Sequence, residues 1–269
     1  MRIFAEMYIH ADMEVWLLPL LLLAVAFLYA SVGHGGASGY LAVMALLGVA
    51  PAEMKSSALL LNLLVSLAAF WQYRPHFRWN PFWLFAIASV PMAYLGAKIP
   101  LADGTYRKLL AVFLLFPVVR LVQNGIFPLG GAGFQHKTAI PQPVPATLAV
   151  GIGGAIGLLS GMLGIGGGIL LSPVLLLLRW ADLKQAAAMS ALFIFVNSAA
   201  GLLGLVTRHG NGFGLKNFQL PAHIHIWLAC ALVGGMLGAY IGSKKLDVRL
   251  LRYALALVLA IAAAKLLLT

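Results

Sequence analysis

Charge is what this 269-residue sequence has least of: Asp, Glu, Lys and Arg together make up 9% of it. No charged residue lies between Glu14 and Glu53, and a second charge-free interval runs from Lys137 to Arg179. A soluble domain carries about a quarter charged residues, so this scarcity excludes the soluble globular class. Cysteine is almost absent too. The single Cys230 rules out a disulfide framework and a cysteine metal cluster within the chain, and it reads as a small apolar residue inside a helix. Acidic residues number seven against 18 Lys and Arg, and they stand at the ends of apolar runs rather than as an inward-facing pair. HExxH, GxSxG and a Gly-Lys-Ser/Thr phosphate loop are all missing, so no enzyme, metal site, nucleotide or other cofactor is expected.

What is abundant is apolar sequence. Hydrophobic residues make up 62% of the chain and the mean hydropathy is +0.97, values of an integral membrane protein. The lipid bilayer is thus the first expected partner. The net charge of +11 comes from basic residues standing singly at the ends of apolar runs. Lipid headgroups and the positive-inside bias account for such residues, so no nucleic acid is expected. No cleavable leader is expected either, because the first apolar run is long and flows into the next.

Apolar periodicity and breakers predict ten helical segments, near residues 15–33, 37–49, 56–73, 82–99, 106–123, 146–163, 168–178, 186–206, 221–242 and 250–268. Eight are long enough to cross the ~30 Å hydrocarbon core, while the second and seventh would reach only about 20 Å and read as half-helices or re-entrant pieces. Residues 124–145, rich in Pro and Gly without helical period, form a linker between halves 1–123 and 146–269. A second polar loop starts at Thr207.

The halves match each other. Gly33-His34-Gly35-Gly36-Ala37 lies over Gly164-Ile165-Gly166-Gly167-Gly168, and Ala52-Glu53-Met54-Lys55 over Ala181-Asp182-Leu183-Lys184. Ser57-Ala58-Leu59 then lies over Ser190-Ala191-Leu192, and Leu95-Gly96-Ala97 over Leu237-Gly238-Ala239. Four blocks in one order predict two homologous halves, each of about four transmembrane helices plus one short helix, in an all-α protein. Five crossings per half would make the repeats inverted and four would make them parallel. The basic residues divide almost evenly between the two sides under either scheme, so the positive-inside rule does not choose.

Scattered glycines such as Gly96, Gly201, Gly204, Gly234, Gly235 and Gly238 read as close helix packing. The two clustered runs differ. Gly33, Gly35 and Gly36 in the first and Gly164, Gly166, Gly167 and Gly168 in the second would break a helix at membrane depth. Unwound backbone is tolerated there only where protein or a water-filled cavity satisfies it. Each run precedes a short helix, whose N-terminal N–H groups and positive dipole end would favour an anion.

His34, inside the first run, is an ionisable group that titrates near neutral pH and is a candidate for proton coupling or anion contact. Ser38, Asn62, Ser190 and Asn197 form a second set of candidate substrate-binding residues, Asn62 with Ser66 and Ser190 with Asn197 lying on small and polar helix faces. Glu53, Lys55, Asp182, Lys184 and Gln185 read as helix caps and interfacial snorkelling residues, with gating as the other reading of the lysines. "FWQYRPHFRW", residues 70–79, reads as an aromatic and basic interface anchor. His223 and His225 would diverge on a helix and not share a metal ion.

The long helix, then "GMLGIGGGILLSPVLLLL", then "SALFIFVNS", duplicated with a divergent first copy, resembles the TauE/SafE sulfite exporter family along nearly the whole chain. The resemblance implies proton-coupled secondary export of a small anion such as sulfite or an organosulfonate across the cell membrane, for a bacterium the inner membrane. His34 and Ala37 depart from the glycine-rich pattern of the second copy, which puts symmetric roles for the two runs in question. A passive anion channel is the alternative. A small anionic substrate is the expected partner, and a homo-oligomer is compatible with the sequence.

Overall fold

The computed structural model describes residues 2–31, 33–126, 143–208, 219–243 and 260–268. The centre of the expected linker, most of the polar loop after Thr207 and the first part of segment 250–268 lie outside these. Every element among the described residues is helical: α1 (Arg2–Ala30), α2 (Ala37–Leu46), α3 (Pro51–Tyr73), a short 3₁₀ turn (Arg74–His76), α4 (Trp79–Lys98), α5 (Asp103–Ile126), α6 (Ala146–Leu163), α7 (Gly168–Leu177), α8 (Leu183–Val206), α9 (Ile224–Ser243) and α10 (260–268).

Each predicted segment has its helix, and the boundaries move where polar first turns are capped. Pro51 opens α3 a turn before its apolar run begins. Asp182 accepts from Gln185 N (2.8 Å) while Gln185 Oε1 accepts from Asp182 N (3.3 Å), a reciprocal cap that starts α8. Among the described residues, four helices are long and apolar enough to cross a membrane: the α3 stretch Pro51–His76, α6, α8 and the α9 stretch Ile224–Gly242. Of the other four expected spans, α4 is diluted by aromatic residues and prolines, and the side chains of α1 and α5 and segment 250–268 are described only in part. At the start of α4, Trp79 and Trp83 stack and stay exposed, and Arg74 sits 3.8 Å over the Trp71 ring, as an interfacial anchor requires.

The short helices are 10 residues each, about 15 Å. Both stop in the same way. Val49 N donates to Met44 O and Gly48 N to Ala45 O, while Trp180 N donates to Leu175 O and Arg179 N to Leu176 O. The left-handed residue these ends require is Gly48 in one and Arg179 (φ 55°) in the other. Arg179→Gly is therefore expected to stabilise the protein by about 1 kcal/mol. A thermal melt in detergent checks it, and a lower Tm would show that the arginine side chain outweighs the backbone strain.

Glycine sets how closely the long helices approach. Gly153, Gly157 and Gly161 of α6 lie against the carbonyls of Phe85, Ser89 and Ala93 of α4, and Gly96 of α4 against Leu158 O of α6. On the other side Gly234 and Gly238 of α9 meet the carbonyls of Leu23 and Phe27 of α1, and Gly242 that of Ser31 just after it. A Cβ at any of these positions would overlap backbone, so both contacts depend on the missing side chain.

Between these pairs α3 packs on α8, antiparallel. Leu59, early in α3, touches Gly201, late in α8, whereas Tyr73 at the end of α3 clusters with Ala187 and Ala188 at the start of α8. The short helices double back. Tyr73 Oη donates to Ser31 O (2.9 Å), so α1 ends on the face where α3 ends; Gly35 then lies beside Asn62 in mid-α3, and Gly39 of α2 lies against Val25 and Tyr29 of α1. The first break and α2 together make a return pass. The end of α6, Gly164, lies instead beside Lys55 at the start of α3, on the opposite face. The elements matched by sequence, α1 with α6 and α3 with α8, thus run in opposite directions.

Candidate functional site

Two interrupted passes meet at the centre of the bundle. The first break leaves α1 at Gly33 (φ 79°) and enters α2 through Gly36 (φ 93°); the second leaves α6 at Gly164 (φ 79°) and enters α7 through Gly166 (φ 71°) and Gly167 (φ 78°). Gly36 and Gly167 are the N-caps, and neither offers a side-chain acceptor to the first turn. The first two N–H groups of each short helix have no acceptor within their own helix and can serve as donors, whereas Leu170 N of α7 already donates to Gly167 O. A cavity of about 10 Å³ joins them. His34, Gly35, Gly36 and Ser38 form one wall, Ile165 of the second break and Ile169 of α7 another, and Tyr29 and Ile194 complete it. A space of that size holds about one water, so a larger occupant requires the breaks to part.

Asn62 stands between the breaks. It is fully buried, and neither its Oδ1 nor its Nδ2 has a hydrogen-bond partner among the described residues. A Cβ placed on Gly35 would fall 2.8 Å from Asn62 Oδ1, and one placed on Gly166 would fall 2.9 Å from Asn62 Nδ2 and 3.1 Å from Ser198 Oγ. One amide therefore spans both runs, and only glycine leaves it room. Ser66, Ser160, Ser198 and Asn197 Nδ2 are likewise buried without partners among the described residues. Asn197 Oδ1 accepts from Ser89 Oγ (2.8 Å), which fixes its amide. Buried polar groups almost always find partners, and each that does not costs about 1–3 kcal/mol. Of these, Asn62 and Ser198 lie beside Gly166 and Ser160 beside Gly167, so unpaired neutral groups gather at the second break, with Asn62 reaching the first as well. His34, half-buried on the cavity wall, is the ionisable group there.

The other predicted residues fall around this centre with different duties. Gly33 packs on Ala187 and Gly164 on Lys55, so these two close the outer ends of the breaks. Gly168 fits against Ile194 and Ser190 O, and Gly167 against Ile156 and Phe193. The Ser190 hydroxyl is engaged with Ser172 Oγ (2.7 Å), and the Ser38 hydroxyl with Tyr29 Oη (2.7 Å). Tyr29, Ser160 and Ser198 were not singled out from sequence. A serine in an apolar helix carries no signal of which neighbour it faces, although Ser198 follows Asn197 directly.

Lys55 corrects the sequence reading. It is not an interfacial snorkelling residue: it is 8% exposed, with Nζ 3.5 Å from Ala97 O and its stem 3.0 Å from where a Gly164 Cβ would lie. Because α3 begins at Pro51, Lys55 is already a turn inside the helix and faces the ends of α4 and α6.

Comparison with known proteins identifies relatives of the whole chain. The family described as "Sulfite exporter TauE/SafE" matches residues 18–266. "Probable membrane transporter protein y4hK" of Sinorhizobium fredii is 33% identical over 262 residues, covering 95% of this chain and 99% of that protein. "Probable membrane transporter protein YunE" of Bacillus subtilis is 29% identical over 177 residues, 60% of each chain. A similarity to "Probable membrane transporter protein MamO" of Magnetospirillum gryphiswaldense is 33% over 140 residues, 52% of this chain and 22% of that one. No solved structure matches. The chain is a multi-pass membrane protein that belongs to the TauE/SafE sulfite exporter family.

Proposed function

We propose that this protein is a secondary exporter of a small oxyanion, sulfite or an organosulfonate, coupled to the proton gradient of a bacterial cell membrane and performing no chemical conversion. The observation that carries this reading is Asn62, an unpaired buried amide between two glycine breaks and two helix N-termini. Neutral donors converging at membrane depth solvate an anion without trapping it, as a site that must release its cargo needs. A cavity that holds about one water favours alternating access over an open pore.

The two-repeat organisation, 1–123 and 146–269 about a linker at 124–145, belongs to the same proposal. Its support is that the packing maps onto itself when the halves are exchanged: α1 on α9 answers α4 on α6, α2 on α3 answers α7 on α8, and α3 meets α8 across the middle. Gly238 against Phe27 O likewise answers Gly96 against Leu158 O. Inverted repeats with a midplane site between broken helices are a recurrent design for alternating access. In this reading α1, α4 and α5 also cross the membrane, α4 alongside α6 and α1 alongside α9.

Proteoliposome flux tests the function. Saturable movement of sulfite or an organosulfonate, accelerated by an imposed pH gradient, is expected; flux that ignores the pH gradient would identify a channel. His34→Gln is expected to retain flux but to lose most of its dependence on pH between about 5 and 8, since glutamine keeps a hydrogen bond without titrating. Initial rates at several internal pH values check this. An unaltered pH profile would remove His34 from the coupling step.

A further inference from the structure

We infer that a cavity at the C-terminal end of α2 binds the phosphate of an anionic phospholipid. Its volume is about 150 Å³, against about 10 Å³ at the centre of the bundle. Arg107 and Lys265 form its cationic side, and Ala45, Val49, Met54 and Leu266 its apolar side. The helix ends place it at headgroup level: α2 stops there, Met54 is in the first turn of α3, and Arg107 follows Tyr106 near the start of α5, where Tyr106 Oη donates to Leu163 O (3.1 Å) at the end of α6. Lys265 Nζ donates to Leu46 O (2.9 Å), which holds its charge at the last turn of α2. Arg107 is half-buried, and no hydrogen bond or ion pair engages its guanidinium among the described residues. Asp103, one turn earlier on α5, and Glu53, beside Met54, do not line the cavity.

The second short helix shows how the fold closes the same position with its own side chain. α2 and α7 end alike, with Val49 N on Met44 O and Trp180 N on Leu175 O, so Val49 and Trp180 are counterparts. Trp180 is 4% exposed, with its ring 6.0 Å from that of Phe85, and fills the end of α7. At the end of α2 the smaller Val49 leaves the cavity, and a Cβ on Gly48 would meet nothing within 4 Å. A cavity in the packing and a half-buried guanidinium without a counter-charge both cost stability, and one occupant relieves both. A phosphodiester carries a negative charge for Arg107 and Lys265 and glycerol carbons for the apolar side, whereas a free inorganic anion would leave the apolar side unmatched. Lipid has access, because Gly48 and Lys265 on the lining are exposed.

The test is lipid binding to the full chain in detergent, followed by native mass spectrometry. Phosphatidylglycerol is expected to bind about tenfold more tightly than phosphatidylcholine, and Arg107→Gln and Lys265→Gln are each expected to weaken it about fivefold. Ala45→Leu fills the cavity and keeps both cations, so it should abolish the preference between the two lipids. Equal affinity for the two lipids in the parent would overturn the inference. A parental preference in Ala45→Leu would overturn it too, by showing diffuse attraction to a basic surface in place of a site. Inorganic phosphate that displaces phosphatidylglycerol at equal concentration would make a free anion the occupant and overturn the lipid assignment. If Ala45→Leu does not fold, a parental preference in Arg107→Gln overturns the inference by the same measurement.

Discussion

Asn62→Leu is expected to reduce sulfite transport by about two orders of magnitude while leaving the protein as stable as the parent or more so. The loss follows from removing a donor to an ionised ligand, worth about 1.5–3 kcal/mol for each hydrogen bond. The stability follows from the other side of the same ledger. Asn62 is fully buried with both amide atoms unpartnered among the described residues, so an apolar side chain of similar volume relieves a desolvation cost. An asparagine retained for helix packing would give the reverse, a lowered Tm with transport intact. Measuring Tm in detergent and initial flux on the same preparation separates the two outcomes.

Gly166→Leu carries the next largest effect. At φ 71° the substitution strains the backbone, and its Cβ would lie 2.7 Å from Ile194 Cγ2 and 2.9 Å from Asn62 Nδ2. The second break is then pushed off the central amide, and a displacement of about 1 Å at a binding centre is enough to cost a hundredfold in rate. Flux below about 1% of the parent is expected, with membrane insertion and monodispersity retained because the long helices are untouched. Gly151→Leu is the control: nothing lies within 4 Å of its Cβ position on the lipid side of α6, and its flux should match the parent. Equal loss in both variants would mean that flux reports only expression or folding.

The sequence reading and the structure agree where the physics is local. Most of the apolar segments become helices within a few residues of their expected ends because periodicity and charge placement specify them, although α1 already begins at Arg2 and only 260–268 of the last segment is described. The breaks at Gly33–Gly36 and Gly164–Gly168 are visible because each glycine run is followed by a helix too short to span, and Asp182 with Gln185 announces its cap by spacing alone. Packing glycines such as Gly96, Gly234 and Gly238 also meet neighbouring backbone. What sequence did not reveal depends on three-dimensional placement. The direction of the second half became legible only when Tyr73 reached Ser31 and Gly164 reached Lys55, contacts between distant parts of the chain. Ser160 and Ser198 look like any helix serine until the breaks fold against them. Lys55 was misread because its neighbours Ala52 and Glu53 suggest a membrane boundary, whereas the helix start at Pro51 carries it inside.

Binding at the centre is the claim on which transport, coupling and both substitutions above depend, and selenite, the selenium counterpart of sulfite, addresses it directly. Diffraction from selenite-soaked crystals at the selenium edge should give an anomalous peak about 3–4 Å from Asn62 Nδ2, as a hydrogen-bonded oxyanion requires, flanked by the first turns of α2 and α7. The same peak should be absent from Asn62→Leu. A protein that transports sulfite in proteoliposomes but binds selenite away from the two glycine breaks, or binds it equally well in Asn62→Leu, would contradict that assignment.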